Sequence, residues 1–430
     1  MLLQFSFSNY KCFKNEAVLN LTAPLGEKTK GFVRALEGRT GLLKAAVVYG
    51  ANASGKTKLF EAFRFLKYFV CPPTREGRLP VLDYWRRQYD AFRLSTSSSR
   101  ESSFFEAVMV IEGVQYRYGV ELNAEEVLSE WLYQKRQREI NIFSREGASI
   151  KYNKEQLNVK VASSILSAGM VSPTSSLLAV LKTFNEPLAT RVVGWFDGVV
   201  VISANDIRPA TGLDYVGEEH RKQQITRLMK AFDFNIEDMR LQEMRTGDVP
   251  DKVRSMVGED ALQGSVYEGI STAHRRYNAL YERVDDVWFS LEKDESYGTN
   301  RLFWLSWAIV TALEKGVPLF IDEFDSGMHP YIATQIVDLF YRSDSRAQLI
   351  VNTHNASLLR YKREDGERLL TKHQVYLVDK NRYGESSLTA LTDFSGDMRS
   401  NLENLYLEGD FGGVPYISQS GLSEVLGKEE

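Results

Sequence analysis

Gly50-Ala51-Asn52-Ala53-Ser54-Gly55-Lys56-Thr57 is a complete G-x-x-x-x-G-K-T loop, and its flanks decide how the chain is read. The apolar run Ala45-Ala46-Val47-Val48-Tyr49 before it has the character of a buried strand. The segment after it places Leu59, Phe60, Phe63, Leu66 and Val70 on one helical face. Strand, loop and helix thus stand in the order that a phosphate cradle requires. Glycine lets successive backbone N–H groups curl around phosphate oxygens, and the positive end of the helix adds to them. Gly50, Asn52, Ala53, Ser54 and Gly55 form that cradle, Lys56 reaches β and γ oxygens, and Thr57 supplies a hydroxyl to Mg²⁺. The expected ligand is ATP with Mg²⁺.

Hydrolysis needs, besides the loop, an acid that holds the metal and a group that orients water. Val317-Pro318-Leu319-Phe320-Ile321-Asp322-Glu323 is an apolar strand ending in two acids. At the carboxyl edge of a parallel sheet, Asp322 can hold Mg²⁺ and Glu323 can polarise the attacking water. Read alone, the same residues are a buried strand followed by a solvated acidic turn. Gln348-Leu349-Ile350-Val351-Asn352-Thr353-His354 brings His354 to the same edge, where it can reach a γ-phosphate. His220, His274 and His373 lack such a context, and His329, before Pro330, reads equally well as a turn residue. Ser296-Tyr297-Gly298-Thr299 opens an apolar helix over 302–313. Ser296, Gly298 and Thr299 are a second possible phosphate cradle, or an ordinary helix cap.

Along the rest of the chain the rhythm is α/β. Short strands precede the loop, and a hairpin is expected around Glu112-Gly113. Trp131–Tyr133 and Ile140–Phe143 extend its antiparallel sheet. From Asp206 to Asp294 the sequence turns charged, with Gln223–Phe232 and Ala273–Leu291 read as helices, and strands and helices alternate again after it. The expected domains are an N-terminal part of the head over 1–205, a helical insertion over 206–294, a C-terminal part over 295–400 and a docking tail over 401–430. No sustained heptad predicts a long coiled coil.

With 430 residues and 43% hydrophobic content, the chain can bury one large or two moderate cores. Its 53 Lys and Arg against 57 Asp and Glu leave a net charge of −4, so no global basic field favours nucleic acid. The clusters Lys135-Arg136-Gln137-Arg138 and His274-Arg275-Arg276 read as solvated faces. Two cysteines suit a reducing cytoplasm. The longest dense apolar run is too short for a bilayer span of about 20 residues, so no membrane role is expected.

The loop, the Ser-x-Gly-Thr turn, Asp322-Glu323 and His354, in this order, resemble the ATP-binding-cassette ATPases of the SMC, RecF and OLD kind. The resemblance implies an α/β P-loop head with an antiparallel β lobe. Asp322 and Glu323 would be the Walker B acid and catalytic glutamate, and His354 the switch histidine. Ser296 and Gly298 would be a signature motif touching ATP held by a second copy, making a homodimer or higher homo-oligomer. Tyr297 stands where transporters carry glycine, and the only candidate for the Q-loop glutamine is Gln88.

Phe5-Ser6-Phe7-Ser8-Asn9-Tyr10-Lys11-Cys12-Phe13, Tyr116–Gly119, Ser129–Tyr133 and Asn404–Pro415 further resemble the RloA/AbiL-type bacterial ATPases, grouped with AAA-type ATPases, and the related PARIS defence ATPase. That likeness implies an anti-phage, abortive-infection role, in which the ATPase governs a separately encoded effector, commonly a nuclease, and answers a phage-encoded trigger. The rival readings are a DNA-repair or DNA-end-binding clamp and, less well matched, the ATP subunit of a transporter.

Overall fold

The alternation of side chains along one strand, Ala45–Gly50, sets the layering of the molecule. In the computed structural model, which describes residues 1–26, 29, 31–36, 40–72, 83–203, 218–244, 267–394 and 402–414, that strand feeds two cores. Ala46 and Val48 face one, whereas Ala45, Val47 and Tyr49 face the other.

In chain order the elements begin with β1 (Leu2–Ser8), β2 (Ala17–Asn20), β3 (Thr22–Pro24), β4 (Val33–Ala35), β5 (Thr40–Leu43) and β6 (Ala45–Gly50), which runs into α1 (Lys56–Val70). There follow β7 (Ser103–Ile111), β8 (Val114–Leu122), β9 (Val127–Lys135), β10 (Glu139–Glu146) and β11 (Ser149–Tyr152), then α2 (Val159–Ser167), α3 (Leu177–Thr183), α4 (Pro187–Gly198) and β12 (Val200–Ile202). The insertion carries α5 (Glu219–Ala231), β13 (Asp238–Met244), β14 (Tyr267–Tyr277) and β15 (Arg283–Ser290). The last part holds α6 (Tyr297–Lys315), β16 (Pro318–Ile321), α7 (Pro330–Arg342), β17 (Gln348–Asn352), β18 (Val375–Lys380), β19 (Ser386–Ala390) and α8 (Leu402–Glu408).

Two large sheets sandwich α1. One has the order β11-β10-β9-β8-β7-β1-β2 and is antiparallel, with the expected hairpin turning at Glu112-Gly113. The other has the order β12-β16-β17-β6-β18-β19 and is parallel except for its β19 edge. Phe63 of α1 stacks on Phe320 of β16 at 4.4 Å and meets Phe5 of β1 edge-on at 5.1 Å, so this helix is apolar on opposite sides. Helices α5 to α8 cover the other face of the parallel sheet.

The antiparallel lobe carries a buried ion pair, Glu130 with Arg145 at 3.8 Å. The Glu130 carboxylate accepts hydrogen bonds from the first amides of α3, Leu177 and Leu178, and from the hydroxyls of Tyr118 and Ser176. Burial nevertheless raises its pKa.

The insertion departs from expectation. Gln223–Phe232 is helical as α5, but Ala273–Leu291 is a hairpin, in which β14 pairs with both β13 and β15. The apolar spacing of Ala273, Tyr277, Leu280 and Val284 imitated a helix face, yet only Ala273 is buried. The Asn278 side chain accepts from the Leu280 and Glu282 amides and closes a turn between β-prone runs. A helical insertion is therefore corrected to a helix with a three-stranded antiparallel sheet. Asp206, its expected start, lies outside the described residues, as does Pro415.

Candidate nucleotide site

The carboxyl ends of β16, β17 and β6 lie side by side in parallel, with β17 in the middle. Gly50 ends β6, and the chain rises through Ala53 at φ 61° to Gly55 at φ 119°, the residue that caps α1 without a side-chain hydrogen bond. No side chain caps the Lys56 and Thr57 amides, which suits anion binding, whereas the Lys58 amide already donates to the Gly55 carbonyl. A Cβ on Gly50 would stand 2.4 Å from the Val378 carbonyl, and one on Gly55 2.7 Å from Cys12 Sγ. Both glycines are required by close approach as well as by backbone shape.

Lys56 is buried and donates to the carbonyls of Gly50 at 2.7 Å and Ala51 at 2.9 Å. Burial draws its pKa down to about 8, against the opposing pull of Asp322 and Glu323. Thr57 Oγ1 donates to Asp322 Oδ1 at 3.1 Å. Asn352 Nδ2 donates to the same oxygen, while Asn352 Oδ1 accepts the Glu323 amide at 2.7 Å. Asp322 Oδ2 is buried with no hydrogen-bond partner among the described residues. A carboxylate with one oxygen tied to a threonine hydroxyl and the other free fits a Mg²⁺ held by few protein groups and by phosphate oxygens.

Glu323 adopts φ 48°, and its carbonyl accepts from Arg301 Nη2 at 2.5 Å. Glu323, Asn352 and His354 line a cavity of about 730 Å³ that also takes in Asn52, Ala53, Gly55, Lys56 and Thr57. His354 stands exposed at its rim. Partial desolvation lowers its pKa first and the Lys56 charge second, with Asp325 and Glu323 acting the other way. The imidazole is therefore biased toward its neutral form.

The opposite wall comes from distant loops. Lys11 pairs with Asp90 at 3.2 Å, and Cys12, Phe92 and Leu94 stand beside them. Asn9 anchors this wall by accepting the Phe92 amide and donating to the Ser98 carbonyl. Sequence reasoning passed over Asn352, Lys11 and Asp90 as site residues. Only Asn352 carried a signal, its place beside Thr353-His354 at a strand end.

Ser296, Gly298 and Thr299 do not reach this cavity. Ser296 caps α6, accepting the Thr299 amide at 3.1 Å, and Gly298 packs on the turn after Glu323, where a Cβ would lie 2.9 Å from the Gly327 carbonyl. His329 caps α7 by accepting the Tyr331 amide, and His274 of the insertion pairs with Glu295 just beyond it. Gln88 contributes its carbonyl to Tyr10 and does not line the cavity.

Residues 45–360 match the family described as "AAA domain, putative AbiEii toxin, Type IV TA system". The chain belongs to this family. It is thereby an AAA-type ATPase domain, and the cavity lined by Asn52, Ala53, Gly55, Lys56 and Thr57 is its candidate nucleotide site.

No curated protein matches the sequence. Among solved structures, similar chains include an SMC head bound to the C-winged helix domain of ScpA, at 15% identity and TM-score 0.43, over 90% of this chain and 97% of that one. The SMC head domain from Thermotoga maritima is 13% identical at TM-score 0.37, over 90% and 98%. The Smc head domain with an extended coiled coil, bound to the C-terminal domain of ScpA derived from Pyrococcus furiosus, is 13% identical at TM-score 0.41, over 91% and 97%. Among the described residues no helix is long and apolar enough to cross a membrane.

Proposed function

We propose that this AAA domain hydrolyses ATP and that two copies close around two ATP·Mg²⁺ to govern a separately encoded effector in anti-phage defence. The observation that carries the hydrolytic reading is the chain of hydrogen bonds from Thr57 through Asp322 and Asn352 to the Glu323 amide. It joins the phosphate loop to the group that would orient water. In this reading Lys56 leaves the Gly50 and Ala51 carbonyls for phosphate oxygens. Glu323 accepts the hydrogen bond of the attacking water, and His354, biased toward its neutral form, donates toward the γ-phosphate. Thr57 and Asp322 would hold Mg²⁺, which when bound neutralises charge developing on the phosphate oxygens.

Ser296, Gly298 and Thr299 lie outside the cavity of their own chain, which supports the composite arrangement in which they complete the partner's site. The family description supports the defence setting. The finer likeness to the RloA/AbiL-type and PARIS ATPases supports a nuclease as the effector and a phage protein as the trigger. We assign the insertion to partner contact.

The test is to purify Glu323→Gln with ATP·Mg²⁺ from its native host, leaving neighbouring genes intact. The expected outcome is a nucleotide-trapped dimer carrying a stoichiometric protein, identified by mass spectrometry. A variant that hydrolyses ATP normally would remove Glu323 from its role. Bound DNA with no protein partner would replace the effector model with the DNA-end clamp.

A further inference from the structure

Residues 402–414 fold back onto the base of the phosphate loop. Helix α8 packs against the turn Ala356–Leu359, just beyond His354, and Glu403 pairs with Arg360 at 3.3 Å. Leu402, Tyr406 and Phe411 are buried in the same core as Tyr49. The Tyr406 ring lies 5.2 Å from that of Tyr49, whose hydroxyl donates to the Asn355 carbonyl at 3.2 Å. The Tyr406 hydroxyl donates to the Gly413 carbonyl at 3.1 Å.

The loop that follows α8 closes on β18. Gly413 donates its amide to Asp379 Oδ1 at 2.6 Å. Gly412 adopts φ 73°, and a Cβ there would stand 2.2 Å from Asp379 Oδ2. One added to Gly413 would stand 3.5 Å from Gly50 Cα. The ladder between β18 and β6 ends with Val378 opposite Gly50. Past Gly50 the loop leaves the sheet, and this tail holds its root from the outer side.

We propose that residues 402–414 clamp the root of the phosphate loop, with Asp379 as the positioning residue, so that nucleotide affinity depends on the tail being seated. Lys56 folds onto the Gly50 and Ala51 carbonyls, so the clamped residue is also the one from which the lysine must depart. A fixed pivot keeps the cradle amides preorganised, and preorganisation acts on affinity. A segment that engages both the exit of β6 and the turn after His354 ties the far end of the chain to two sides of the cavity.

This inference rests on the ATP-site reading, and the experiment separates the two. Fluorescent ATP·Mg²⁺ binding and steady-state hydrolysis are measured on the full chain as wild type, Lys56→Ala, Asp379→Ala, Asp379→Asn and Tyr406→Phe. Asp379→Ala is expected to raise Kd and KM about tenfold, the size of one hydrogen bond to a charged group, with most of the effect outside kcat. Asp379→Asn keeps a carbonyl acceptor for the Gly413 amide and is expected to recover most of the affinity. If wild type and Lys56→Ala both fail to bind, the ATP-site reading falls. If wild type binds, Lys56→Ala does not and Asp379→Ala binds like wild type, the clamp is overturned. Should Asp379→Ala fail to fold, Tyr406→Phe decides: a Kd about threefold higher, a fraction of a hydrogen bond, supports the clamp and an unchanged Kd overturns it.

Discussion

Replacing Asn352 by alanine removes a side chain that links the carboxylate of the candidate metal-holding acid to the backbone amide of the catalytic candidate. Asn352 is buried, with Nδ2 on Asp322 Oδ1 and Oδ1 on the Glu323 amide. The first bond is to a charged group, worth about 1.5–3 kcal/mol, and the second is neutral, worth roughly 1 kcal/mol. Glu323 is held at φ 48°, a conformation that costs a non-glycine residue about 1–2 kcal/mol and persists only while its surroundings enforce it. With the amide released, the turn is expected to relax and to carry the carboxylate away from its place in the cavity. If about 3 kcal/mol of this order appears in the transition state alone, kcat falls roughly a hundredfold. The phosphate cradle at residues 50–57 is untouched, so the Kd for ATP should move by no more than about threefold. Phosphate release at saturating ATP, with equilibrium binding measured alongside, reads both quantities. A kcat within about threefold of wild type, or a loss confined to Kd, would refute the role given to Asn352.

Two further outcomes follow from charges at the site and in the lobe. Burial has drawn the Lys56 pKa down to about 8, whereas a bound triphosphate favours the protonated amine. ATP affinity should therefore be flat below pH 8, and Kd should rise by up to about tenfold per unit above it, as binding comes to require uptake of a proton. Isothermal titration in buffers of different ionisation enthalpy would detect that proton, and a Kd independent of pH from 7 to 9.5 would contradict it. Glu130→Ala strips the acceptor from the Leu177 and Leu178 amides and leaves Arg145 unpaired in the core, a loss of about 3–5 kcal/mol. Thermal melting should show a clear fall, and an unchanged melting temperature would mean that the pair does not hold the lobe.

The head was legible because its elements are strongly patterned. The runs Ala45–Tyr49, Val317–Ile321 and Gln348–Val351 are apolar strands of a parallel sheet buried on both faces, and each ends in the polar residues that its position demands. The insertion was misread where Ala273, Tyr277, Leu280 and Val284 fell at helical spacing on a segment exposed at three of those four positions. Burial carried no information there, and the turn chemistry of Asn278 and the β-prone Val287-Trp288-Phe289 decide its structure instead. The far wall of the cavity was not legible at all. Lys11 and Asp90 meet across 79 residues of sequence, and nothing local to either marks the meeting.

The turn at 296–299 illustrates how a local motif acquires meaning from a contact. As sequence it is a cap, and in the structure Ser296 does cap α6. Two residues beyond it, buried Arg301 in the first turns of the same helix donates to the carbonyls of Asp322 and Glu323, at 3.1 Å and 2.5 Å. Gly298 meanwhile sits against the Gly327 carbonyl, and a Cβ on Gly327 would strike the Tyr297 ring at 2.7 Å. The start of α6 and the turn after β16 are thus in contact at two places, one polar and one steric, and packed interiors do not absorb displacements smoothly. A force on Ser296 from a second molecule must either be resisted by Arg301 or be delivered to the backbone of Glu323. The strained φ of Glu323 makes it the softer of the two, so in the proposed dimer occupation of the 296–299 turn and the position of the Glu323 carboxylate would be coupled through these two contacts.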